Sequence, residues 1–490
     1  MALAANLLRR VPNVADGLED QAPKHLGWLM LTGLGIGATI GAGIFAMPGI
    51  IAGKAGPAGA LSFLLTGLIV LIVAICYEKF SRHMPHGVSA YSYVYNSIGE
   101  VVAWVVAFGL FMEYSFGAAA VAIAWSVYLQ TACGYELPEF WMGSQIKTIT
   151  PAVLDPAGAV ITPAVTELHF GINFVAILVV AIITLILMYG GVSKSAKLNF
   201  ALVVLKMALL AIFLCAGIPH VNPANWQPFM PKGIEGVLQG AAVAVFPYVG
   251  FDALYTFARE SKSQKDTTRG TFLCVGIVAL LYVAVMAVAT GLAPCFFDGD
   301  PNKPNPLFVG SEAAAPLAKL LSAAGETWTA KLIAAGAVLG IFNVLLVLCM
   351  GGPRIFRNMS EDGLLPPIFK KSHLGNPTFG ILLNGILVAA FAGFMPFGEI
   401  ADMMVLGTLI AFIFVCFGAL RLKLVNPVLA ILGMVGCATL AAKLNPIVLN
   451  AYAITCPIGL VIYAVYGYKN SKLHKQGVEG ALAKQPDPVS

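Results

Sequence analysis

Residues 33–45 read GLGIGATIGAGIF, and this stretch decides the fold. It lies inside an apolar run, 27–52, which is long enough to cross a bilayer because a helical crossing needs about 20 residues. Yet five of its first eleven residues are glycine, and glycine destabilises the interior of a helix. The stretch therefore predicts either close helix packing through the GxxxG pair Gly37 and Gly41, or a helix that breaks near the middle of the membrane.

The composition of the whole chain places much of its surface in lipid. Of the 490 residues, 59% are hydrophobic and 11% are charged, whereas soluble domains carry about 25% charge. The net charge of +5 comes from small basic clusters between apolar runs, without the interleaved aromatics of a nucleic-acid surface. The nine cysteines show no metal-ligand spacing. We predict a membrane protein without a nucleic-acid partner, a metal or another cofactor.

Twelve apolar segments are candidates for membrane-spanning helices. They run at 27–52, 58–80, 98–131, 170–190, 198–218, 236–257, 270–293, 331–356, 377–396, 399–421, 426–443 and 446–468. With twelve spans, 21 of the 29 Lys and Arg residues lie on the side of the N-terminus and 7 on the other side, while Lys206 lies within a span. Because basic loops stay in the cytoplasm, we expect a multi-pass plasma-membrane (cell inner membrane) protein with both termini cytoplasmic.

The sixth predicted span contains an interruption of its own. Residues 246–252 read FPYVGFD, in which Pro247 removes a backbone N–H and Gly250 loosens the next turn. A simple proline kink would also give this pattern. However, the first and sixth spans hold equivalent places in two five-helix halves, and paired interruptions of this kind mark the binding site of a transporter. Broken helices expose backbone donors and acceptors, and a half-helix N-terminus attracts a carboxylate.

Three ionisable residues lie within the apolar spans: Glu113 in the third, Lys206 in the fifth, and Asp252 after the interruption of the sixth. Charge inside a membrane is costly and marks a functional site by default. Structural roles stay open, because Lys206 could snorkel to the membrane surface, Glu113 could pair between helices, and Asp252 could cap the next half-helix. A buried lysine exchanges its proton readily, so Lys206 is the candidate for proton coupling.

Several motifs together resemble the amino acid–polyamine–organocation superfamily, and within it the bacterial cationic amino acid transporter family. Residues 35–45, GIGATIGAGIF, look like the first-helix motif of the superfamily. The narrower resemblance is carried by segments 111–114, 195–199 leading to Lys206, 250–252 with Glu260, 353–366 and 400–409. The similarity covers most of the twelve spans in order.

The resemblance implies an all-α membrane protein of the leucine-transporter type, with two inverted five-helix repeats, broken helices 1 and 6, and two further helices. The parts would be a cytoplasmic N-terminal segment 1–25, repeats 26–218 and 236–423, helices 11 and 12 at 426–468, and a cytoplasmic tail 469–490. The substrate carboxylate would lie on the backbone of Ile40, Gly41, Ala42 and Gly43. Its amino group would meet carbonyls around Phe246, Val249 and Phe251.

The resemblance also implies roles for single side chains. Lys206 matches the family lysine that takes the place of a sodium ion and supports proton coupling, and Glu113 matches the acid that faces the central cavity. Ile341 stands where one type of relative has a methionine beside the substrate side chain. Asp252, Glu260 and Arg259, the last in place of a usual acid, are expected to act in gating or structure.

We therefore expect a secondary active, proton-coupled permease that imports L-amino acids, cationic or small neutral, across the membrane. Its partners would be the amino acid, protons and the lipid bilayer. The alternative is an exchanger of an amino acid for a polyamine or another amine. An enzyme is not predicted, because the sequence has no GxSxG, HExxH or histidine within a span.

Overall fold

The computed structural model describes most of the chain as helix. The described residues are 26–84, 89–135, 137–150, 153–154, 160–162, 165–189, 196–256, 261–309, 312–370, 377–472 and 474–475. The helices are α1 Trp28–Thr39, α2 Gly43–Ala55, α3 Gly59–His83, α4 Ala90–Ser97, α5 Glu100–Cys133, α6 Phe174–Tyr189, α7 Ala196–Gly217, α8 Gly233–Tyr248, α9 Ala253–Thr256, α10 Gln264–Leu292, α11 Pro316–Ala323, α12 Thr327–Glu361, α13 Thr378–Phe394, α14 Phe397–Arg421, α15 Pro427–Ala441, α16 Pro446–Ile462 and, after a π-helical turn, α17 Tyr468–Asn470.

Seven helical stretches of the described residues are long and apolar enough to cross a membrane. They are Gly43–His83, Glu100–Cys133, Ala201–His220, Gln264–Leu292, Thr327–Glu361, Phe397–Arg421 and Pro446–Asn470. Four shorter apolar helices, α1, α6, α13 and α15, accompany them. The structure is thus that of a helical membrane protein, while the count of twelve crossings and the inverted repeat stay predictions.

Helix starts follow from local sequence. Two Asn-Pro pairs begin α15 and α16: the Asn426 side chain accepts the N–H of Val428, and the Asn445 side chain accepts that of Ile447. Proline is tolerated after such a cap because the first helical N–H groups have no partner within the helix. These short signals set where each helix enters the bundle.

Small residues set how closely the helices cross. A Cβ at Gly109 of α5 would lie 3.1 Å from the carbonyl oxygen of Gly407 on α14. A Cβ at Gly240 of α8 would lie 2.6 Å from the Ser62 hydroxyl of α3. In lipid, helices associate by such close packing, since their apolar surfaces gain little from leaving a hydrocarbon solvent.

Two long loops, the first between α5 and α6 and the second between α10 and α12, contain strands or a helix that no sequence pattern predicts. In the first loop, strand β1 (Gln145–Thr150) pairs antiparallel with β4 (Val165–His169), and β2 (Val153–Leu154) pairs with β3 (Val160–Thr162). In the second loop, the short helix α11 is largely buried. The strands lie between apolar spans rather than within them, so the membrane part of the fold stays helical.

Candidate functional site

The first break lies between α1 and α2. Helix α1 ends at Thr39, the backbone at Ile40 leaves the helical region with ψ of 85°, and α2 begins at Gly43. Ala42, the residue before α2, has no side-chain acceptor, so no side chain caps the first N–H groups of this helix. The N-terminus of α2 therefore presents backbone donors and the positive end of a helix dipole inside the protein. This is the helix break that the glycine-rich stretch predicts.

The second break lies between α8 and α9. Helix α8 ends at Tyr248 with Pro247 in its last turn, and α9 begins at Ala253. Gly250, between them, has φ of +107°, a conformation that L side chains rarely adopt. The end of α8 leaves backbone acceptors and the negative end of a dipole. Both interruptions that the sequence predicts are thus present, with opposite polarity.

The two breaks lie against each other. A Cβ at Gly43 would lie 2.6 Å from the Cα of Pro247, and a Cβ at Gly250 would lie 2.6 Å from the carbonyl oxygen of Ala38. Real Cβ atoms do not approach backbone this closely, so glycine is required at both places. The structure brings the N-terminus of α2 and the C-terminus of α8 into one site.

Tyr282 of α10 joins the two breaks. Its buried hydroxyl lies 2.8 Å from the carbonyl oxygen of Pro247 and 3.3 Å from that of Thr39. Both carbonyls belong to helix C-termini, whose negative dipole ends repel each other, and the hydroxyl proton between them offsets that repulsion. The sequence analysis misses Tyr282, although a tyrosine within an apolar span is a usable signal because its hydroxyl needs a partner when buried.

Local turns already occupy two of the carbonyls expected to meet the substrate amino group. The Phe246 carbonyl accepts the N–H of Val249 at 3.2 Å, and the Phe251 carbonyl accepts the N–H of Leu254 at 3.2 Å. Within the described part of the chain, the Val249 carbonyl accepts no hydrogen bond. Of the three predicted acceptors, the Val249 carbonyl therefore has both of its lone pairs available for a substrate.

Lys206 reaches α1 from α7. It is 4% exposed, and its ammonium donates to the carbonyl oxygen of Gly37 at 3.4 Å. Gly37 lies in the last turn of α1, where the carbonyls carry the negative end of the helix dipole. A snorkelling lysine would instead place its ammonium at the membrane surface. The contact with Gly37 favours a role for Lys206 at the first helix break over a role at the membrane surface.

Glu113 lies on α5, on the side that faces α14 and the second break. Its carboxylate is buried and accepts a hydrogen bond from the Thr408 hydroxyl of α14 at 2.8 Å. Asp252, which follows Gly250 in the second break, is close enough for its charge to act on Glu113. Two carboxylates therefore lie near the junction of these three elements. Thr408 belongs to a motif noted in the sequence, but its bond to Glu113 could not be read from spacing.

Helix α12 lies against the first break. Ile341 is 1% exposed, and Val344, three residues later, meets the break directly, since a Cβ at Gly41 would lie 3.7 Å from a Val344 methyl carbon. Residues three apart share a helix face, so Ile341 and Val344 form one apolar face beside the site. The sequence predicts Ile341 but misses Val344.

Two of the predicted gating residues, Arg259 and Glu260, lie outside the described residues. Across the described ranges, no group of three His, Cys, Asp or Glu residues is placed to hold a metal ion. The other predicted residues fall on the two breaks or on helices α5, α7 and α12. The arrangement offers backbone donors, backbone acceptors, one ammonium and two carboxylates, which can bind a small charged molecule.

Comparison with known proteins agrees with this arrangement. The family model described as amino acid permease matches residues 26–472. The branched-chain amino acid permease BcaP of Bacillus subtilis (strain 168) is 32% identical over 472 residues, which is 93% of this chain and 96% of that protein. The methylthioribose transporter of the same organism is 33% identical over 462 residues, 91% of this chain and 94% of that protein.

A plant relative extends the comparison. The cationic amino acid transporter 9, chloroplastic, of Arabidopsis thaliana is 34% identical over 362 residues, 72% of this chain and 58% of that protein. The match to the family model covers both helix breaks and every described helix from α1 to α17. The chain therefore belongs to the amino acid permease family of the amino acid–polyamine–organocation superfamily, and it is a multi-pass membrane transporter rather than an enzyme.

Proposed function

We propose that this protein is a secondary active, proton-coupled permease that imports an L-amino acid, with neutral aliphatic amino acids preferred over cationic ones. The observation that carries the proposal is the meeting of a bare helix N-terminus, at Gly43, with the carbonyl end of α8, at Tyr248. An α-amino acid carries a carboxylate and an ammonium two bonds apart. The site offers a donor end and an acceptor end to match them.

The carboxylate is assigned to the N-terminus of α2. The N–H groups of Ile40 and Gly41 already donate to backbone carbonyls, each at 2.8 Å. Of the four predicted residues, Ala42 and Gly43 are therefore left to bind the carboxylate. An amine without a carboxylate would leave these donors without a partner, and buried unpaired donors cost free energy. This argument favours amino acids over simple amines as substrates.

The ammonium is assigned to the second break. The Val249 carbonyl is available there, while Tyr282 and the local turns already bond the neighbouring carbonyls of Pro247, Phe246 and Phe251. The opposing ends of the two half-helices thus orient the zwitterion. The substrate side chain is left to the surrounding helices.

Apolar side chains support a neutral substrate. Val344 on α12 and Phe246 on α8 are apolar and contact the first break, and the buried Ile341 lies on the same face of α12 as Val344. Two of the three relatives are named for branched-chain and for cationic amino acids, and the third for methylthioribose. For a cationic side chain, Glu113 would supply the opposite charge. Its carboxylate accepts a hydrogen bond from Thr408 on α14, whereas Val344, which meets the first break directly, is apolar.

Proton coupling is assigned to Lys206. Its ammonium is buried against the last turn of α1, so gain or loss of its proton would change the interaction that holds this half-helix. A change in charge at one end of a mobile element can bias the equilibrium between two conformations. Uptake would then respond to the proton gradient without any need for sodium.

The test is uptake into proteoliposomes that hold the purified protein. Radiolabelled leucine, alanine, arginine, lysine and glutamate would be supplied in turn, with and without an inward proton gradient and without sodium. We expect gradient-stimulated uptake of leucine or alanine, inhibited by other L-amino acids but not by their decarboxylated analogues. Uptake of arginine or lysine alone would contradict the neutral preference.

An exchanger is the competing function. Such a protein would show no net uptake under the gradient, but it would take up label when the vesicles are preloaded with an amino acid or a polyamine. Inhibition by decarboxylated analogues would accompany this result. That combination would replace the permease proposal and leave Lys206 with a structural role.

A further inference from the structure

An ion pair joins the second half of the first broken helix to α14, far along the chain. The Lys54 ammonium lies 3.2 and 3.1 Å from the two carboxylate oxygens of Asp402. Asp402 also accepts the backbone N–H of Asn445 at 3.3 Å. Its side chain is 3% exposed and that of Lys54 is 25% exposed. This is a largely buried pair with a third partner, unlike a surface salt bridge.

The position of the pair ties it to the binding site. Lys54 lies in the last turn of α2, the helix whose other end, Gly43, forms the donor side of the first break. Helix α2 is continuous from Gly43 to Ala55 although Pro48 lies inside it, so a contact at Lys54 constrains Gly43 about 17 Å away, at 1.5 Å per residue. The ammonium also complements the negative dipole end of α2.

The surroundings of the pair are charged and closely packed. Lys232 donates to the Gly53 carbonyl at 2.9 Å. Its positive charge and that of Lys54 repel each other. Glu399, one turn before Asp402, is the other carboxylate whose charge acts on this cluster. On another side of α2, a Cβ at Gly49 would lie 2.5 Å from the Ala313 carbonyl. Asp402 is the carboxylate that the ammonium contacts directly.

The second broken helix has a more exposed ion pair at the same end of the molecule as Lys54. Glu235, in the first turn of α8, pairs with Lys443 at 2.7 Å, with side chains 54% and 30% exposed. Lys443 lies in the turn between α15 and α16, beside Asn445. Each half-helix that leads from this end to the site is thus tied to the α14–α16 part by one ion pair. The buried pair bears on α2 and the exposed pair on α8.

We propose that Lys54 and Asp402 are positioning residues that hold α2 closed against α14, and that this pair must part when the site opens to the Lys54 end of the molecule. The inference rests on the proposed function, because it assigns the pair to one step of the transport cycle. It adds a residue pair outside the binding site that sets the balance between open and closed forms.

The first measurement is hydrogen–deuterium exchange of the purified full-length protein. The variants are Lys54→Met and Asp402→Asn, which break the pair, and Lys54→Arg, which keeps it. We expect the two breaking variants to raise exchange in the peptide covering 43–55 by about tenfold, without a change in α6. Lys54→Arg is expected to stay within about twofold of the native protein.

The matched control is a pair with the same chemistry that touches neither broken helix. Lys303 and Asp298 also lie 3.1 Å apart, but their side chains are 58% and 78% exposed, in the second long loop. Asp298→Asn, at a positive φ that asparagine tolerates, is expected to change neither exchange in 43–55 nor transport. A similar effect of Asp298→Asn would overturn the proposal.

The second measurement is initial uptake of the substrate by proteoliposomes, resolved into KM and kcat. Lys54→Met and Asp402→Asn are each expected to lower kcat about tenfold while KM falls or stays constant, because a site biased towards the open form binds substrate but closes poorly. Lys54→Arg is expected to keep near-native values of both. The double variant Lys54→Met/Asp402→Asn is expected to be no worse than either single variant, since it leaves no buried charge without a partner.

The outcomes separate this inference from the function on which it rests. Three results would each overturn the role of the pair. The losses of kcat in the two single variants could multiply in the double variant, Lys54→Arg could be as impaired as Lys54→Met, or exchange in 43–55 could stay unchanged. Native protein that transports no amino acid in any mode would overturn the proposed function instead, and exchange would still report whether the pair holds α2.

Discussion

The two broken helices reach the same site by different chemistry. The first break uses small residues, so that α2 begins at Gly43 without a side-chain cap and offers N–H groups. The second uses Pro247 and the positive φ of Gly250, so that α8 ends early and offers carbonyl groups. One break exposes donors because nothing caps a helix start, and the other exposes acceptors because a helix cannot continue. Together they offer a donor end and an acceptor end, which the proposed function assigns to a molecule that carries both charges.

The sharpest challenge to this comparison is Gly43→Val. The new Cβ would lie 2.6 Å from the Cα of Pro247, and neither backbone can move without separating the donor end from the acceptor end. We expect uptake to fall by more than about 100-fold, because an error of about 1 Å in the position of a binding group can cost that much. Proteoliposome uptake checks this.

Its control is Gly33→Val in the same broken helix. Nothing lies within 4 Å of a Cβ at Gly33, so the substitution adds a side chain on a face without contacts. We expect uptake within about twofold of the native rate, since exposed substitutions of this kind change little. Equal losses in the two variants would mean that glycine in α1 and α2 serves helix flexibility in general and not the contact with Pro247.

The second break is tested by Gly250→Ala. Here a side chain meets two obstacles, the φ of +107° and the Ala38 carbonyl oxygen, 2.6 Å from the new Cβ. We expect uptake to fall by about 10- to 100-fold, somewhat less than for Gly43→Val because a methyl group is smaller. The free energy of unfolding should also fall, and thermal unfolding measures that part.

Gly325→Ala separates strain from contact. Gly325 has φ of +94° and nothing within 4 Å of a Cβ, so alanine there meets only the backbone cost, about 1–2 kcal/mol. We expect a modest loss of stability with near-native uptake per folded protein. Comparable losses of uptake in the two alanine variants would show that the conformation of Gly250, rather than its contact with α1, matters for transport.

Sequence reasoning could predict the breaks because their signals are local. Clustered glycine in 33–45 and the Pro247–Gly250 pair violate helix propensity within a few residues, and such violations are visible without a structure. The same reasoning could single out Lys206 and Glu113 as candidates, because charge in an apolar span is unusual, while their roles stay predictions. These signals depend on the chain near each residue and not on its neighbours in space.

The partners of those residues could not be predicted. Tyr282 contacts both breaks, and Val344 meets Gly41, only because α10 and α12 cross the broken helices at particular heights. Lys54 and Asp402 are 348 positions apart in the chain, and no spacing rule relates them. Contacts of this range depend on helix packing, which one sequence specifies only through the whole fold.

The next prediction concerns Lys206. Like Tyr282, it donates a hydrogen bond to a carbonyl in the last turn of α1. Lys206→Met removes the ammonium that contacts the Gly37 carbonyl while keeping a long apolar side chain. We expect stimulation of uptake by the proton gradient to disappear, with exchange between preloaded vesicles retained, because the substrate contacts stay in place. Uptake with and without the gradient, as a ratio, measures this.

The exposed Lys265 of α10 supplies the control, as Lys265→Met changes the same charge outside the site. Its ratio of gradient-driven to gradient-free uptake should equal that of the native protein. Full stimulation in Lys206→Met would show that the proton is carried elsewhere and that Lys206 only supports the end of α1.

The smallest effect is expected from Thr408→Val, which tests whether the Glu113 carboxylate acts on the side chain of the substrate. The substitution removes the hydroxyl that donates to Glu113 at 2.8 Å and keeps the shape of the side chain. Thr290→Val is the matched control, because its buried hydroxyl bonds only backbone of its own helix, at 2.9 Å. That hydrogen bond stabilises the charged form of the buried Glu113 carboxylate, so its loss makes Glu113 a poorer partner for a cationic side chain. The ratio of arginine to leucine uptake should therefore fall about fivefold in Thr408→Val and stay constant in Thr290→Val. A constant ratio in both variants would place Glu113 outside the reach of the substrate, and selectivity would then rest on the apolar face of Ile341 and Val344.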